Sequence, residues 1–292
     1  MKLPHFIYLL MTIVFVMPGC TSGGSTITPL STPTLVPSST ATPTFTPRLQ
    51  PTVTSSPVPT MTPTRLPTLT PNEAREALAT LLQKPVDCEA PCFWSIAPGE
   101  TTFGEAVRAI THFGLQLLFV NTIDNKDFRD SRYDFDNGLS VDVNLAIQDN
   151  IVQNVRVSIT PEKQRTGMPR AWLAYSPETF INRYGTPSKV EFFLDWGPRP
   201  YFEMDMYFDQ VDLIVVYEGH NIIPREKGSP RICPLTSQFE AVRLWMGKDP
   251  YQPPRPAVPL DQATSMTLEE FANLMTGDPG KACFIVNGDA FK

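Results

Sequence analysis

The sequence predicts an α+β fold: two tandem units, each a helix followed by an antiparallel meander, and then a small mixed C-terminal region. Three observations predict it. Apolar residues recur at helical spacing in 103–113, and alternating apolar residues follow on both sides of Asn137 and Gly138. The same order of helix and alternating runs returns in 176–219. A helix that leads into antiparallel strands, twice over, is typical of an α+β arrangement with helices on one face of each sheet.

The first unit is predicted to span 72–160. Thr101 or Thr102 is suited to begin its helix, because a threonine hydroxyl can accept a hydrogen bond from a backbone N–H, and Gly114 is suited to end it. Its strands are predicted in 115–120, 131–146 and 151–159.

The second unit is predicted to span 161–220. Ser176 is suited to cap its helix, with Pro177 in the first turn and Gly185 at the end. Its strands are predicted in 189–196, 201–208 and 211–219.

The C-terminal region, 221–292, is expected to pack on the same domain. Apolar residues at helical spacing predict helices in 236–247 and 267–277. The proline-rich segment 251–259 is predicted to connect them, and 282–286 is predicted as a final strand.

Residues 1–19 are predicted to be a signal peptide. Lys2 supplies a positive charge, and 7–17 is an uncharged, mostly apolar run of 11 residues. A membrane-spanning helix needs about 20 apolar residues, so this run is too short to cross a bilayer but has the length found in signal peptides. The protein is therefore expected to be exported.

The segment Met17-Pro18-Gly19-Cys20 resembles the lipobox of bacterial lipoproteins, in which the cysteine after a small residue is lipidated and becomes the mature N-terminus. The resemblance implies lipidation at Cys20. It also implies anchoring at the cell membrane or outer envelope, on the extracytoplasmic face. The alternative is a plain secretory signal with an incidental cysteine.

Residues 20–71 are predicted to be a linker that begins with the lipidated cysteine. The segment is rich in Ser, Thr and Pro and contains no acidic residue. Such a composition cannot bury enough apolar surface to offset chain entropy, so disorder is predicted, with proline favouring an extended chain. The linker is expected to be a spacer that lifts the domain from the membrane, or a connection with no length requirement.

Two stretches, PGETTFGEAV with HFG in 98–114 and SPETFINRYGTPSKVEFFL in 176–194, resemble the helix-turn-strand units of small bacterial envelope lipoproteins of the outer-membrane-assembly type. The β-lactamase-inhibitory protein is similar in its tandem architecture. The resemblance covers 98–220 and implies a binding or scaffolding role rather than catalysis. The region 221–292 departs from it.

Four cysteines of the folded part, Cys88, Cys92, Cys233 and Cys283, are predicted to form disulfides. Thiols of an exported protein oxidise unless a metal or an active site protects them. Their spacings lack the two-residue gap of a thioredoxin-like motif and the paired gaps of a zinc ribbon. Of the three possible connectivities we favour Cys88–Cys92 with Cys233–Cys283. The other two, and a metal or redox role, remain open.

Charge and motifs argue against several function classes. Residues 72–292 hold 21 basic and 30 acidic residues, a net charge of −9, because the first 71 residues contain three basic residues and no acidic one. Scattered basic residues on an acidic domain argue against nucleic acid as a partner. The chain has no P-loop, dinucleotide-binding or serine-hydrolase motif, and the acidic stretch 124–138 does not match an EF-hand. No cofactor, metal site or catalytic residue is predicted.

The stretch 195–202 is the best candidate for recognition. Its glycine and two prolines predict a stiff turn that displays Trp196, Arg199 and Tyr201, residue types common at binding hot spots. The alternative is that Trp196 and Tyr201 fill the core beneath the turn. The sequence thus favours a membrane-anchored module that binds an envelope protein or a cell-wall component. The alternative function is an extracytoplasmic hydrolase that acts on an envelope polymer with Asp or Glu residues.

Overall fold

A large antiparallel sheet forms the centre of the fold. The computed structural model describes residues 67–83, 91–135, 139–161, 174–195, 197–220, 222–223, 229–234, 239–248, 251, 253, 256–278 and 282–291, all within the compact unit Met61–Lys292. In chain order the strands are β1 (Leu118–Ile123), β2 (Lys126–Phe135), β3 (Leu139–Gln148), β4 (Ile151–Pro161), β5 (Lys189–Asp195), β6 (Tyr201–Phe208), β7 (Leu213–Gly219), β8 (Ile222–Ile223), β9 (Arg231–Ile232), β10 (Phe239–Met246), β11 (Val258–Pro259) and β12 (Phe284–Ile285). The helices are α1 (Pro71–Gln83), α2 (Phe103–His112), α3 (Pro177–Tyr184), α4 (Leu260–Ala263) and α5 (Leu268–Thr276). The predicted α+β fold class is confirmed.

Within the described residues, nine strands form the large sheet in the order β1-β2-β3-β4-β10-β7-β6-β5-β11, and β12, β9 and β8 form a small second sheet. The two predicted meanders are therefore β1 to β4 and β5 to β7. Strand β10 lies between them, with Val242 opposite Ile159 of β4 on one side and opposite Tyr217 of β7 on the other. The two predicted units thus share one sheet and do not form a sheet each.

Side chains alternate between an apolar face and a polar face of the large sheet, as strand geometry requires. On β3, Val141, Val143 and Leu145 are buried, while Asp142 and Asn144 are half-buried. Side chains from α1, α2, α3 and α5 join the apolar face of the strands in one hydrophobic core. The helices therefore cover the apolar face, and the polar face is directed away from them.

Two helices begin at the predicted residues, and α3 also ends at the predicted Gly185, whereas α2 ends at His112, two residues before the predicted Gly114. Thr102 caps α2: its Oγ1 accepts a hydrogen bond from Glu105 N at 3.3 Å, and the Glu105 carboxylate accepts one from Thr102 N at 2.9 Å. Ser176 caps α3 through a bond from Thr179 N, and Gly185 ends α3 with a φ of 83°. These contacts satisfy backbone N–H groups that the first helical turn leaves without intrahelical partners.

The fold begins before the predicted boundary between linker and domain, and its first helix, α1, is not among the predicted elements. Pro67 O accepts a hydrogen bond from His112 Nδ1 at 2.8 Å, and Leu69 N donates one to His112 O at 2.9 Å. The end of the proline-rich segment therefore packs on α2. Residues 1–66, which include the predicted signal peptide, the predicted lipidation site and most of the linker, lie outside the described residues.

The prediction of a helix in 236–247 is wrong, because these residues contain strand β10. The register of β10 against β7 shifts between Phe239 and Ala241, which marks a bulge. One extra residue places Phe239 and Val242 in the same core, three positions apart, which is also the spacing of a helix face. Regular alternation resumes after the bulge, where Val242 and Leu244 are buried. The second predicted helix is confirmed as α5.

Cys233 and Cys283 form a disulfide, as predicted, with their Cα atoms 4.1 Å apart. The bond joins the end of β9 to the start of β12, two strands that pair with each other in the small sheet. Cys92 is also disulfide-bonded. Cys88, its predicted partner, lies outside the described residues.

Candidate functional site

The predicted recognition stretch places Arg199 and Tyr201 in different environments. Arg199 is exposed on the connection before β6. Tyr201 begins β6 and is half-buried, with its ring centroid 5.7 Å from that of Phe193 and 6.1 Å from that of His220. Tyr201 therefore lies outside the hydrophobic core of the described residues, contrary to the alternative that the sequence left open. Trp196 lies outside the described residues.

His220, next to Tyr201, is held by two oxygen atoms. Its Nδ1 lies 2.7 Å from Pro200 O and its Nε2 lies 3.0 Å from Glu240 Oε2. Because a carbonyl oxygen can only accept, Nδ1 donates to Pro200. Both ring nitrogens therefore face oxygen atoms of this chain.

Four carboxylates face one another on the polar side of β5, β6 and β7. Cross-strand register puts Glu191 directly opposite Asp205, and Glu203 directly opposite Glu218. Like charges in directly opposite positions destabilise a sheet unless protonation or a cation offsets them. We call these residues and the side chains that contact them the acidic cluster, which consists of Lys189, Glu191, Glu203, Asp205, Tyr207, Glu218, Arg243 and Tyr251.

Cations lie beside three of the four carboxylates. Arg243 Nη1 forms an ion pair with Glu218 and lies 4.0 Å from a Glu203 carboxylate oxygen. Lys189 Nζ lies 3.1 Å from a Glu191 carboxylate oxygen. These charges offset the repulsion that the register imposes on these three side chains.

Asp205 is the carboxylate without an ion pair or hydrogen bond within the described structure. Only 2% of its surface is exposed, and neither carboxylate oxygen has a hydrogen-bond partner among the described residues. Burial, and then the nearby carboxylates of Glu203 and Glu191, raise the pKa of Asp205 to about 8. Asp205 is therefore mainly protonated at neutral pH, which removes the like-charge repulsion with Glu191.

Tyr251 covers the acidic cluster. Its hydroxyl donates a hydrogen bond to Glu203 Oε1 at 3.0 Å, and its ring centroid lies 4.7 Å from that of Trp245. The guanidinium of Arg156 lies 4.6 Å from the centroid of the Trp245 ring. Burial raises the pKa of Tyr251, so its hydroxyl stays protonated and continues to donate. Glu203, which accepts this hydrogen bond, is only 6% exposed.

The chemistry available to the acidic cluster is proton transfer. A carboxylic acid that stays neutral at pH 7 beside a second carboxyl group is an arrangement that acid–base enzymes use. Asp205 and Glu203 provide such a pair, but both are buried, and the Tyr251 hydroxyl is bonded to Glu203. In this conformation the acidic cluster is a packed polar network and not an open active site.

A separate cavity of about 520 Å³ lies between α1, α2 and the turn at Trp94. Its volume falls within the range of small-molecule sites. It is lined by Leu81, Trp94, Ser95, Glu100, Thr101, Glu105, Arg108, Ala109, His112 and Phe113. Several of its polar groups already have partners: Glu105 closes the α2 cap and lies 4.0 Å from Arg108, and His112 Nδ1 donates to Pro67 O.

The turn beside this cavity has two successive residues with positive φ, Trp94 at 51° and Ser95 at 62°. Phe93 and Ile96 exchange two backbone hydrogen bonds across it, at 3.1 and 2.9 Å. Positive φ at residues with a side chain costs roughly 1–3 kcal/mol each. The Trp94 ring is 5% exposed and packs between Phe93 and Phe113, which offsets that cost through burial. The strain therefore has a structural explanation.

Strand β1 is an exposed edge of the large sheet. Among the described strands only β2 pairs with it, and all six of its residues are exposed. Of the six large hydrophobic side chains exposed in the described part of the chain, four belong to β1: Leu118 at 61%, Phe119 at 54%, Val120 at 49% and Ile123 at 51%. An edge strand also carries unpaired N–H and C=O groups, so this combination marks a site for interaction with another chain.

The sequence predicts a strand in 115–120 but does not mark it as a binding site. The signal in the sequence is an apolar run with no charged residue, which indicates that neither face of the strand carries only polar side chains. Its place at the edge of the sheet depends on the strand order, which residues 118–123 do not encode.

In the part of the chain that the structure describes, no group of three or more His, Cys, Asp or Glu side chains is placed to bind a metal ion. None of the helices among the described residues combines the length and the apolar character needed to cross a membrane. Comparison of the chain with protein-family models, with curated proteins and with solved structures finds no match.

Proposed function

We propose that the protein is a lipid-anchored binding protein of a bacterial envelope, and that its acidic domain binds a protein partner through β1. In this proposal Cys20 carries the lipid, the linker 20–71 spaces the domain from the membrane, and the domain lies on the extracytoplasmic face. The observation that carries the binding function is the exposed apolar edge strand.

Strand β1 is suited to accept an added strand. Leu118 lies opposite Asp130 and Phe119 opposite Arg129 on β2, so these two apolar side chains project from opposite faces of the sheet. An extended segment that pairs with β1 would form main-chain hydrogen bonds and would contact apolar side chains on both faces. Main-chain bonds supply affinity in this binding mode, and the side chains supply specificity.

The proposed location is supported by the Cys233–Cys283 disulfide. Disulfides persist in exported proteins and are rare where thiols are kept reduced. The signal-like segment 1–19 and the lipobox-like sequence that ends at Cys20 support export and anchoring from the sequence side.

Site-specific photo-crosslinking in intact cells tests the binding function. A photoreactive amino acid replaces Asn121, an exposed residue of β1, and in a matched control it replaces Asn182, an exposed residue of α3. The proposal predicts a discrete covalent adduct from position 121 and none from position 182. Equal labelling at the two positions, or no adduct at position 121, would contradict it.

A hydrolase is the second candidate, and the raised pKa of Asp205 is the observation that favours it. Purified protein is incubated with envelope polymers, alongside the variant Asp205→Asn. Turnover that disappears in a folded Asp205→Asn variant would establish a hydrolase. Turnover that persists unchanged in the variant would remove Asp205 from the chemistry.

A further inference from the structure

We propose that the strand that occupies the β1 edge is β1 of a second copy of this chain, so that two sheets join by antiparallel pairing about a two-fold axis. The inference rests on the proposed function, because it names the partner of the same edge. A two-fold axis between two β1 strands runs them antiparallel and makes the contact self-complementary.

The charges near β1 allow two acidic domains to meet at this edge. The strand itself, LFVNTI, has no charged residue, although residues 72–292 have a net charge of −9. Asp124 follows β1 directly, and in a two-fold antiparallel pair centred on Asn121, which lies opposite its own copy, the two Asp124 residues lie at opposite ends. At about 3.3 Å per residue they are about 20 Å apart, beyond the distance of about 10 Å over which salt screens charges.

Charges on the neighbouring strand β2 are offset within each copy. Arg129 Nη2 lies 3.5 Å from Asp127 Oδ2, and the Arg129 guanidinium lies 4.7 Å from the centroid of the Phe119 ring. The Asp127 carboxylate also accepts a hydrogen bond from Thr122 at 2.8 Å. The surface offered to a second copy is therefore uncharged and mostly apolar, and the Arg129 and Asp127 charges beside it are paired with each other.

The opposite edge of the large sheet is protected from pairing with another chain. It ends in β11, which has two residues, one of them Pro259. Short strands and proline are common devices that keep a sheet edge from pairing with another chain. On β1 the protective device is a bulge between Phe119 and Asn121, which bends the strand but leaves its six residues exposed. The molecule thus blocks one edge and leaves the other available.

The length of β1 limits the strength of the pairing. Stable interfaces bury about 800 Å² on each partner, and a six-residue strand supplies only part of such an area. The dimer is therefore expected to dissociate on dilution, and to be favoured where many copies share one membrane surface.

Disulfide trapping tests the two-fold pairing. Asn121 lies near the proposed axis, so the full-length variant Asn121→Cys should form a disulfide-linked dimer on mild oxidation. Asn182→Cys, which places an exposed cysteine on α3, is the matched control and should remain monomeric. Cross-linking of Asn121→Cys that is no greater than that of Asn182→Cys would overturn the proposal.

Sedimentation of full-length protein over a range of concentrations gives an independent test. The chain is prepared with Cys20→Ser, so that lipid micelles do not hold two copies together. Asn121→Asp places two negative charges beside the axis and should weaken dimerisation about tenfold or more. Asn182→Asp makes the same charge change away from β1 and should leave dimerisation unchanged. Circular dichroism confirms that both variants are folded.

The outcomes separate this inference from the proposed function. If the chain stays monomeric at high concentration but forms a photo-adduct with a different protein from position 121, the pairing of two copies is contradicted and the binding function is retained. A monomeric chain with no adduct overturns both. A dimer that Asn121→Asp does not weaken places the contact elsewhere and also overturns the inference.

Discussion

At the scale of single residues, Asp205 makes the stability of the domain depend on pH. Its pKa is about 8 in the fold and 3.8 in an ordinary aspartate. Between these values the folded chain holds a proton that the unfolded chain releases, so the free energy of unfolding falls as pH rises and levels off above about 8. Asp205→Asn removes this dependence, because an amide does not ionise.

Denaturant unfolding of the wild type and of Asp205→Asn at several pH values should show this difference. The stability of the variant relative to the wild type should rise from pH 4 to pH 8. The upper bound is roughly 6 kcal/mol, from about 1.4 kcal/mol for each tenfold change in proton affinity. Asp209→Asn, at an exposed position just after β6, is the control and should follow the wild type. Parallel curves for Asp205→Asn and the wild type would show that Asp205 is already ionised at neutral pH.

Gly247 tests a close backbone approach at the end of β10. Its φ is 113°, and a methyl group in place of its hydrogen would clash with Gln153 O and lie 2.8 Å from Asn154 Nδ2. Gly99 also has a positive φ, of 80°, but a methyl group there would meet nothing within 4 Å. Gly99→Ala should cost about 1 kcal/mol and Gly247→Ala at least about 2 kcal/mol more, because overpacking adds to the strain. Equal losses of stability for the two variants in thermal unfolding would show that β4 can move away from residue 247.

The roles of the residues that begin and end helices were predictable from the sequence, and the environment of Asp205 was not. Thr102, Ser176 and Gly185 act within one or two turns of the chain, so their types alone indicate their roles. The proton on Asp205 depends on Glu191 and Glu203 and on burial by neighbouring strands. No short stretch of sequence contains that information.

At the scale of secondary-structure elements, the cap of α2 can be tested directly. Thr102→Ala removes the side-chain acceptor for Glu105 N and should lower the free energy of unfolding by about 1 kcal/mol. Thr102→Ser keeps the hydroxyl and should retain most of the stability. Urea unfolding that does not distinguish alanine from serine at this position would show that the cap contributes nothing measurable.

Hairpins were predictable and the strand order was not. Asp149 and Asn150, with φ of 50° and 64°, form the kind of turn that aspartate and asparagine tolerate, and the chain reverses there as predicted. The bulge in β10 produced a helix-like spacing, and only the pairing with β4 and β7 distinguishes the two possibilities. Helix α1 has a threonine cap at Thr70 with Glu73 three residues later, but the proline-rich composition before it concealed that signal.

At the scale of the whole molecule, anchoring depends on one cysteine. Cys20→Ala should move the protein from the membrane fraction to the soluble or unprocessed pool, because no lipid can be attached. Fractionation of cells followed by immunoblotting measures the shift. A processed Cys20→Ala protein that stays with the membrane would contradict lipidation at this residue.

The open edge of the large sheet is the feature of the whole molecule on which the proposed binding function depends. Four exposed apolar side chains at β1 contrast with a core that joins both meanders, β10 and the helices. If β1 is the binding surface, the rest of the domain serves to hold this strand at the end of a rigid sheet. The linker 20–71 would then determine how far from the membrane the edge can reach.

Hydrogen exchange of the β1 backbone amides tests most directly whether β1 is the binding surface. Exchange in full-length protein that is diluted until it is monomeric is compared with exchange in protein that is concentrated enough to pair and is supplied with solubilised envelope extract. If β1 is the binding surface, the amides of Leu118–Ile123 that point away from β2 become protected by about tenfold or more, while those of β3 are unchanged. Amides of β1 that exchange equally fast in both samples, while protection develops around the cavity at Trp94 or elsewhere, would show that β1 is not the binding surface.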